Sequence, residues 1–192
     1  MVIPEASDKN QPRWRKWAVA PAVIALLLGV LPILGEKINY HYMASPAWVS
    51  AVWPFAWLIG AFCAGSFVWG TANGLATSHK PPSPLKAVLI VLSAPLLGFW
   101  TGSISTTMSL PMIWATVAGE DTTVQFAVLD ANGGGSRGCR NPIRVADAPF
   151  GFDKICGFSD EFRDGLTAGS KIAVVGRGTS LGVFPQQAYV VE

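Results

Sequence analysis

The sequence predicts a membrane α-helical protein with three transmembrane helices, followed by a small C-terminal all-β domain, barrel- or sandwich-like, on the extracytoplasmic side. Three observations carry that reading. First, the 192 residues are 51% hydrophobic and only 14% charged, against about 25% charged in an ordinary soluble domain; the mean hydropathy is +0.38. Second, the deficit is confined to one part. Residues 1–118 hold half of the fourteen Lys and Arg but only three of the twelve acids, while residues 119–192 carry a soluble density of charge. Third, the polar part alternates like a set of short strands and contains two cysteines of its own. The net charge of +2 is the sum of these unlike parts. It gives no nucleic-acid signal, because the basic residues flank the apolar runs instead of sharing one soluble face.

The N-terminal segment, residues 1–16, precedes an uncharged run over 17–34. Eighteen helical residues cover about 27 Å, close to the roughly 30 Å hydrocarbon core. Arg13, Arg15 and Lys16 lie before it as in a signal peptide. The run is longer than the usual h-region of about 7–15 residues, and no A-x-A site follows Leu34, so a retained helix is expected. A second run covers 47–70. The third, 87–118, is uncharged throughout and would be about 48 Å long as one helix. The polar stretch 101-TGSISTTMS-109 leaves too little on either side for two spans. One span over 86–105 is therefore expected, with an interfacial or helical continuation to 118 that sets Trp114 at headgroup level. Residues 17–118 form the transmembrane region and 119–192 the β-domain.

Basic residues set the orientation. Arg13, Arg15 and Lys16 precede the first span, Lys80 and Lys86 lie between the second and third, and only Lys37, beside Glu36, lies between the first and second. The positive-inside rule puts the N-terminus in the cytoplasm of a plasma (inner) membrane protein and, with three spans, residues 119–192 outside. A fourth span would reverse the last point. Each run carries proline (Pro21, Pro32, Pro54, Pro95), which neighbouring helices can accommodate in lipid. Ala18, Ala22, Ala25 and Gly29 form one small-residue stripe, and Ala56, Gly60 and Ala64 another. Such stripes let helices pack closely, within one bundle or between copies of a homo-oligomer. Trp14, Trp17, Trp48, Trp69 and Trp100 fall near the run ends as an aromatic belt, with Trp53 and Trp57 deeper. No charged residue or histidine interrupts a run, which argues against a proton or ion relay. A passive pore lined by Ser103, Ser105, Thr106 and Thr107 stays as an alternative.

In the β-domain, Val124, Phe126 and Val128 form one face of a strand at 123–130. The stretch 132-NGGGSRG-138 is a loop; further strands are expected at 143–146, 152–158 and 171–176. Ser159 is placed to cap a helical turn over 159–166, with Asp160 and Glu161 at its positive end. Gly176 to Gly182 reads as the tight connection between two antiparallel strands, with Arg177 displayed at its tip, and short strands over 181–184 and 187–191 finish the domain. So small a core is marginal alone. An outside location makes Cys139–Cys156 a disulfide, closing a loop of about 16 residues and contributing about 3 kcal/mol in the chain-entropy model. Cys63 lies mid-span and reads as a packing residue.

The chemical motifs point away from catalysis. His41 and His79 are expected on opposite sides of the membrane and cannot share a metal. The domain has no histidine, so it holds neither a Ser–His pair nor a zinc set. The glycines of 176-GRGTSLG-182 lack the following helix and βαβ unit of a dinucleotide site, and 165-GLTAGSK-171 has the wrong order and spacing for a phosphate loop. No catalytic residue, metal ligand or cofactor is assigned. Arg137, Arg140, Arg144 and Arg177 are candidates to contact an acidic partner or phosphate headgroups. The expected function is a non-enzymatic binding, assembly or envelope-associated accessory module. Its partners are membrane lipid and another envelope or membrane protein, not nucleic acid. The alternatives are a membrane-surface hydrolase using the tail carboxylates Asp147, Asp153, Asp160, Glu161 and Asp164, and a small pore or exclusion factor.

Overall fold

The computed structural model describes residues 13–38, 40–78, 82–131, 133, 139 and 141–191, with side chains of the first helix described from Val23 onward. Helix α1 (Arg13–Lys37) leads to a short strand β1 (Met43–Ala44), then to α2 (Pro46–Thr77) and α3 (Pro84–Ile104). A π-helical turn over Ser105–Ser109 carries α3 into α4 (Leu110–Ala118) without a break. The β-domain follows: β2 (Glu120–Asp130), β3 (Ile143–Val145), β4 (Lys154–Ile155), the short α5 (Asp160–Asp164), β5 (Lys171–Thr179) and β6 (Gly182–Val191).

Local chemistry explains the helix boundaries. Ser45 caps α2, its hydroxyl accepting from the Trp48 amide at 3.2 Å, and Pro46 occupies the first turn, where no N–H is needed. The awkward third run resolves into one continuous helix, 35 residues from Pro84 to Ala118. Its polar stretch is buried instead of exposed: Ser105, Thr106, Thr107 and Ser109 are each 5% exposed or less. Three of its serines, Ser103, Ser105 and Ser109, tie helices together, Ser103 by donating to the Ala56 carbonyl at 3.2 Å. Ser105 donates to the Ala25 carbonyl at 2.7 Å and Ser109 to the Leu28 carbonyl at 2.6 Å. Leu28 lies four residues before Pro32, which has no N–H to offer it. Trp48 Nε1 donates at 3.2 Å to the Thr107 carbonyl, four residues before Pro111. Carbonyls deprived by proline are thus served from neighbouring helices.

The small residues make the helix seams. A side chain at Gly98 would meet the Ala64 Cα at 2.8 Å, and one at Gly102 the Gly60 Cα at 3.0 Å. Ala56 and Gly60 are buried in the same α2–α3 seam. Gly29 packs against Thr101, where a Cβ would come within 3.0 Å of the backbone, and Ala25 is buried as well. The described part of both stripes packs against the chain's own third helix; the Ala18 and Ala22 side chains lie outside the described residues. Two helices, Pro46–Thr77 and Pro84–Ala118, are long and apolar enough to cross a membrane.

The strands form one antiparallel sheet in the order β1-β6-β5-β2-β3-β4. The expected face of β2 points inward: Val124, Phe126 and Val128 join Ile143, Ile172, Val174 and Val183 in the core. Three features differ from the sequence reading. The loop after α1 contributes a sixth strand, pairing Met43 with Val183. The glycines 176–182 are not a turn. β5 runs on to Thr179 and the turn is only Ser180–Leu181, with Thr179 opposite Gly182. The two short closing strands are one, with a shift in register where Pro185 pairs with Gly176, since proline has no N–H for the ladder. Gly176 and Gly178 serve close approach: a Cβ on either would collide with the carbonyl of Phe184 or Gly182 across the hairpin.

A second buried layer joins sheet to helices. Tyr42, Ala44 and Phe184 from the sheet side pack with Val49, Ile104, Met108 and Ala115. Ser45 clinches the joint, its hydroxyl donating to the Ser180 carbonyl at 2.9 Å and its amide to the Leu181 carbonyl at 2.8 Å. The β-domain is docked on the helix ends, not tethered to them.

Candidate functional site

An open cleft of about 550 Å³ lies beside this joint. Its first wall is the loop between α1 and β1. Tyr40 and Tyr42 alternate around His41, and both tyrosine rings pack on Phe184, with centroids at 4.5 and 5.0 Å. The second wall is the start of β6, where Phe184, Pro185 and Gln186 carry the register shift. The third is the Cys139–Cys156 region with Asn141 and Phe158. The two cysteines are bonded, S–S 2.03 Å and Cα–Cα 5.3 Å. The bond pins Cys139 to the chain just after β4.

Arg177 lines the cleft, but its first role is internal. From mid-β5 its Nε donates to the Gly119 carbonyl at 3.2 Å and an Nη to the Thr116 carbonyl at 3.4 Å. These carbonyls end α4, where helical partners run out and the dipole favours a cation. Arg177 therefore stands within β5 and not at a turn tip, although it stays exposed. Part of its guanidinium holds the α4–β2 junction, and its remaining donors face outward. Arg144 stands elsewhere, paired with Asp153 through Nε at 2.8 Å and Nη2 at 2.6 Å. The four candidate arginines do not form one patch among the described residues: Arg144 and Arg177 border different cavities, while Arg137 and Arg140 fall outside the description, as does His79.

The cleft lining holds one arginine, one histidine and two side-chain amides, and none of the lining residues is an acid. Asn141 accepts from Arg163 at 3.1 Å. Three of the five acids named above sit in surface ion pairs: Asp153 with Arg144, and Asp160 and Asp164 with Arg163 at 3.7 and 2.7 Å. Among the described residues no three His, Cys, Asp or Glu side chains group around a metal position. Chemically the arrangement can hold a ligand carrying an acceptor or anionic group against an aromatic wall.

Beside the cleft sits an unusual polar atom. Tyr42 is 5% exposed and its Oη has no hydrogen-bond partner among the described residues. Burial pushes its phenol well above the ordinary tyrosine value. Sequence reading missed the β1 strand and this aromatic joint; the period-two pattern Tyr40-x-Tyr42-x-Ala44 was the available signal.

Compared with known proteins, the chain matches no protein-family model, and no curated protein or solved structure is significantly similar to it.

Proposed function

We propose that the chain is an integral membrane protein with three spanning helices and a cytoplasmic N-terminus, presenting its disulfide-bonded β-domain outside as a non-enzymatic binding or assembly module. The observation that carries the membrane placement is the surface of the long helices. Only 22% of the most apolar stretch of α2 and 28% of that of α3–α4 is buried; Phe55, Leu58, Phe62, Leu92 and Leu96 are exposed. So large an apolar surface needs a non-aqueous neighbour. α1, α2 and α3–α4 alternate in direction, and the loop after α1 and the end of α4 both reach the β-domain. The basic residues Arg13, Arg15, Lys16 and Lys86 then lie at the opposite end, as a cytoplasmic face requires.

The binding role rests on the cleft, rigidly held where the domain meets the helices and able to engage a segment of another envelope protein through Arg177, His41, Gln186 and the Tyr40–Phe184 wall. Anchoring raises its effective concentration for membrane-bound partners. The ion-paired acids weigh against the hydrolase alternative, and the buried, engaged Ser and Thr hydroxyls weigh against a pore. Copurification from membranes, with mass spectrometry on wild type and Gln186→Lys, tests the role. A partner enriched with wild type and lost with the variant supports it; the same profile from both sinks it. Thiol labelling tests the topology: Cys139 and Cys156 should react only after reduction and only from outside.

A further inference from the structure

Between α2 and α3, beneath the β-domain, lies an apolar cavity of about 140 Å³. Trp53 and Trp57 of α2, Phe99 and Trp100 of α3, and Phe150 of the β-domain wall it. Its two hydroxyls, on Ser103 and Thr107, already donate to the carbonyls of Ala56 and Ser103, so the slot offers mainly hydrocarbon. Phe150 is the most exposed large hydrophobic residue among those described, at 90%. It is carried on the turn that follows Asp147, whose φ of 57° makes it the one described non-glycine residue in the left-handed region. An aromatic ring held out in this way beside an apolar slot has no aqueous reason to be there.

Trp53, Pro149 and Phe150 also border a second, open basin of about 770 Å³. Its charged lining is Arg144, Lys154, Asp130, Asp147 and Asp153. Arg144 and Asp153 neutralise each other. Among the described residues Lys154 and Asp147 make no ion pair, which leaves that cation and that anion for a ligand, with Asp130 as a further carboxylate of the lining. An apolar slot opening onto a basin of mixed charge fits an amphiphile whose head carries both signs. A purely anionic head would meet Lys154 but face the Asp147 and Asp130 carboxylates. We infer that slot and basin together bind one glycerophospholipid with a zwitterionic, amine-bearing headgroup: an acyl chain in the slot along Trp53, Trp100 and Phe150, the phosphate at Lys154 and the ammonium at Asp147. This rests on the membrane placement proposed above, and deepens it from general solvation by lipid to one defined site.

The test uses the full chain reconstituted with equal amounts of phosphatidylethanolamine and phosphatidylglycerol, then delipidated stepwise and examined by native mass spectrometry. One phosphatidylethanolamine per chain should persist after the bulk lipid is gone. Lys154→Glu should lower its retention about tenfold, the ratio expected from losing one hydrogen bond to a charged group. Phe150→Ser, on a ring that packs on little else, should lower it as well while leaving the melting temperature unchanged. Equal retention of the two lipids, retention of neither, or indifference to both substitutions overturns the inference. Alkaline extraction of the same membranes separates the two levels. A chain that washes off sinks the membrane placement and the lipid site together; a chain that stays embedded without a retained lipid sinks the site alone.

Discussion

Tyr42 and Arg177 show what single residues contribute at the joint. A buried hydroxyl with no partner costs free energy that its phenyl analogue does not. Tyr42→Phe should therefore stabilise the protein by about 1 kcal/mol, read from thermal unfolding in detergent. The same phenol predicts a pH dependence. Its proton is held more tightly folded than unfolded, so its contribution is intact below the ordinary tyrosine value of about 10 and is lost as pH rises beyond it. In Tyr42→Phe that part of the alkaline fall should disappear; an unchanged profile means that the phenol is not held in a buried site. Arg177→Gln removes the cation at the end of α4 and should cost about 0.5–1 kcal/mol. If binding of a partner falls while stability holds, the residue serves the cleft and not the helix.

At the scale of elements, proline and serine act together. Pro32 deprives Leu28 of its helical donor, and Ser109 on another helix replaces it. Ser109→Ala should lower stability by about 1 kcal/mol. Ser66→Ala is the control, because Ser66 bonds only within its own helix, to Phe62. Equal effects would show that the cross-helix bond carries no special weight. Much of this level was legible in the sequence. Charge-free runs located the apolar helices, alternation located the inner face of β2, and Ser159 was read as the cap it is, accepting from the Phe162 amide. What could not be read was the partner of each element. The stripe at Ala56, Gly60 and Ala64 announces close packing without saying on what, and Gly176 and Gly178 look alike whether they make a turn or a strand approached closely from across the hairpin. The first loop was opaque for the same reason: two residues become a strand only because β6 lies beside them.

For the whole molecule, the Cys139–Cys156 bond and the buried layer around Phe184 decide how firmly the cleft is held. Replacing both cysteines by serine should cost about 3 kcal/mol, from the freed loop in the unfolded chain. The midpoint of unfolding should fall equally on adding reductant to wild type; a midpoint indifferent to both would mean the domain relies on its docking to the helices. Composition, hydropathy runs and cysteine count were enough to fix the broad division into apolar helices and a disulfide-bonded β-domain, because long apolar runs and strand alternation are written in the chain itself. They could not decide that β1 completes the sheet, that Arg177 bonds to the end of α4, or that Phe150 stands over a slot between α2 and α3. Those depend on contacts between residues far apart in sequence, and such pairings leave no periodic trace; only the packed fold selects them.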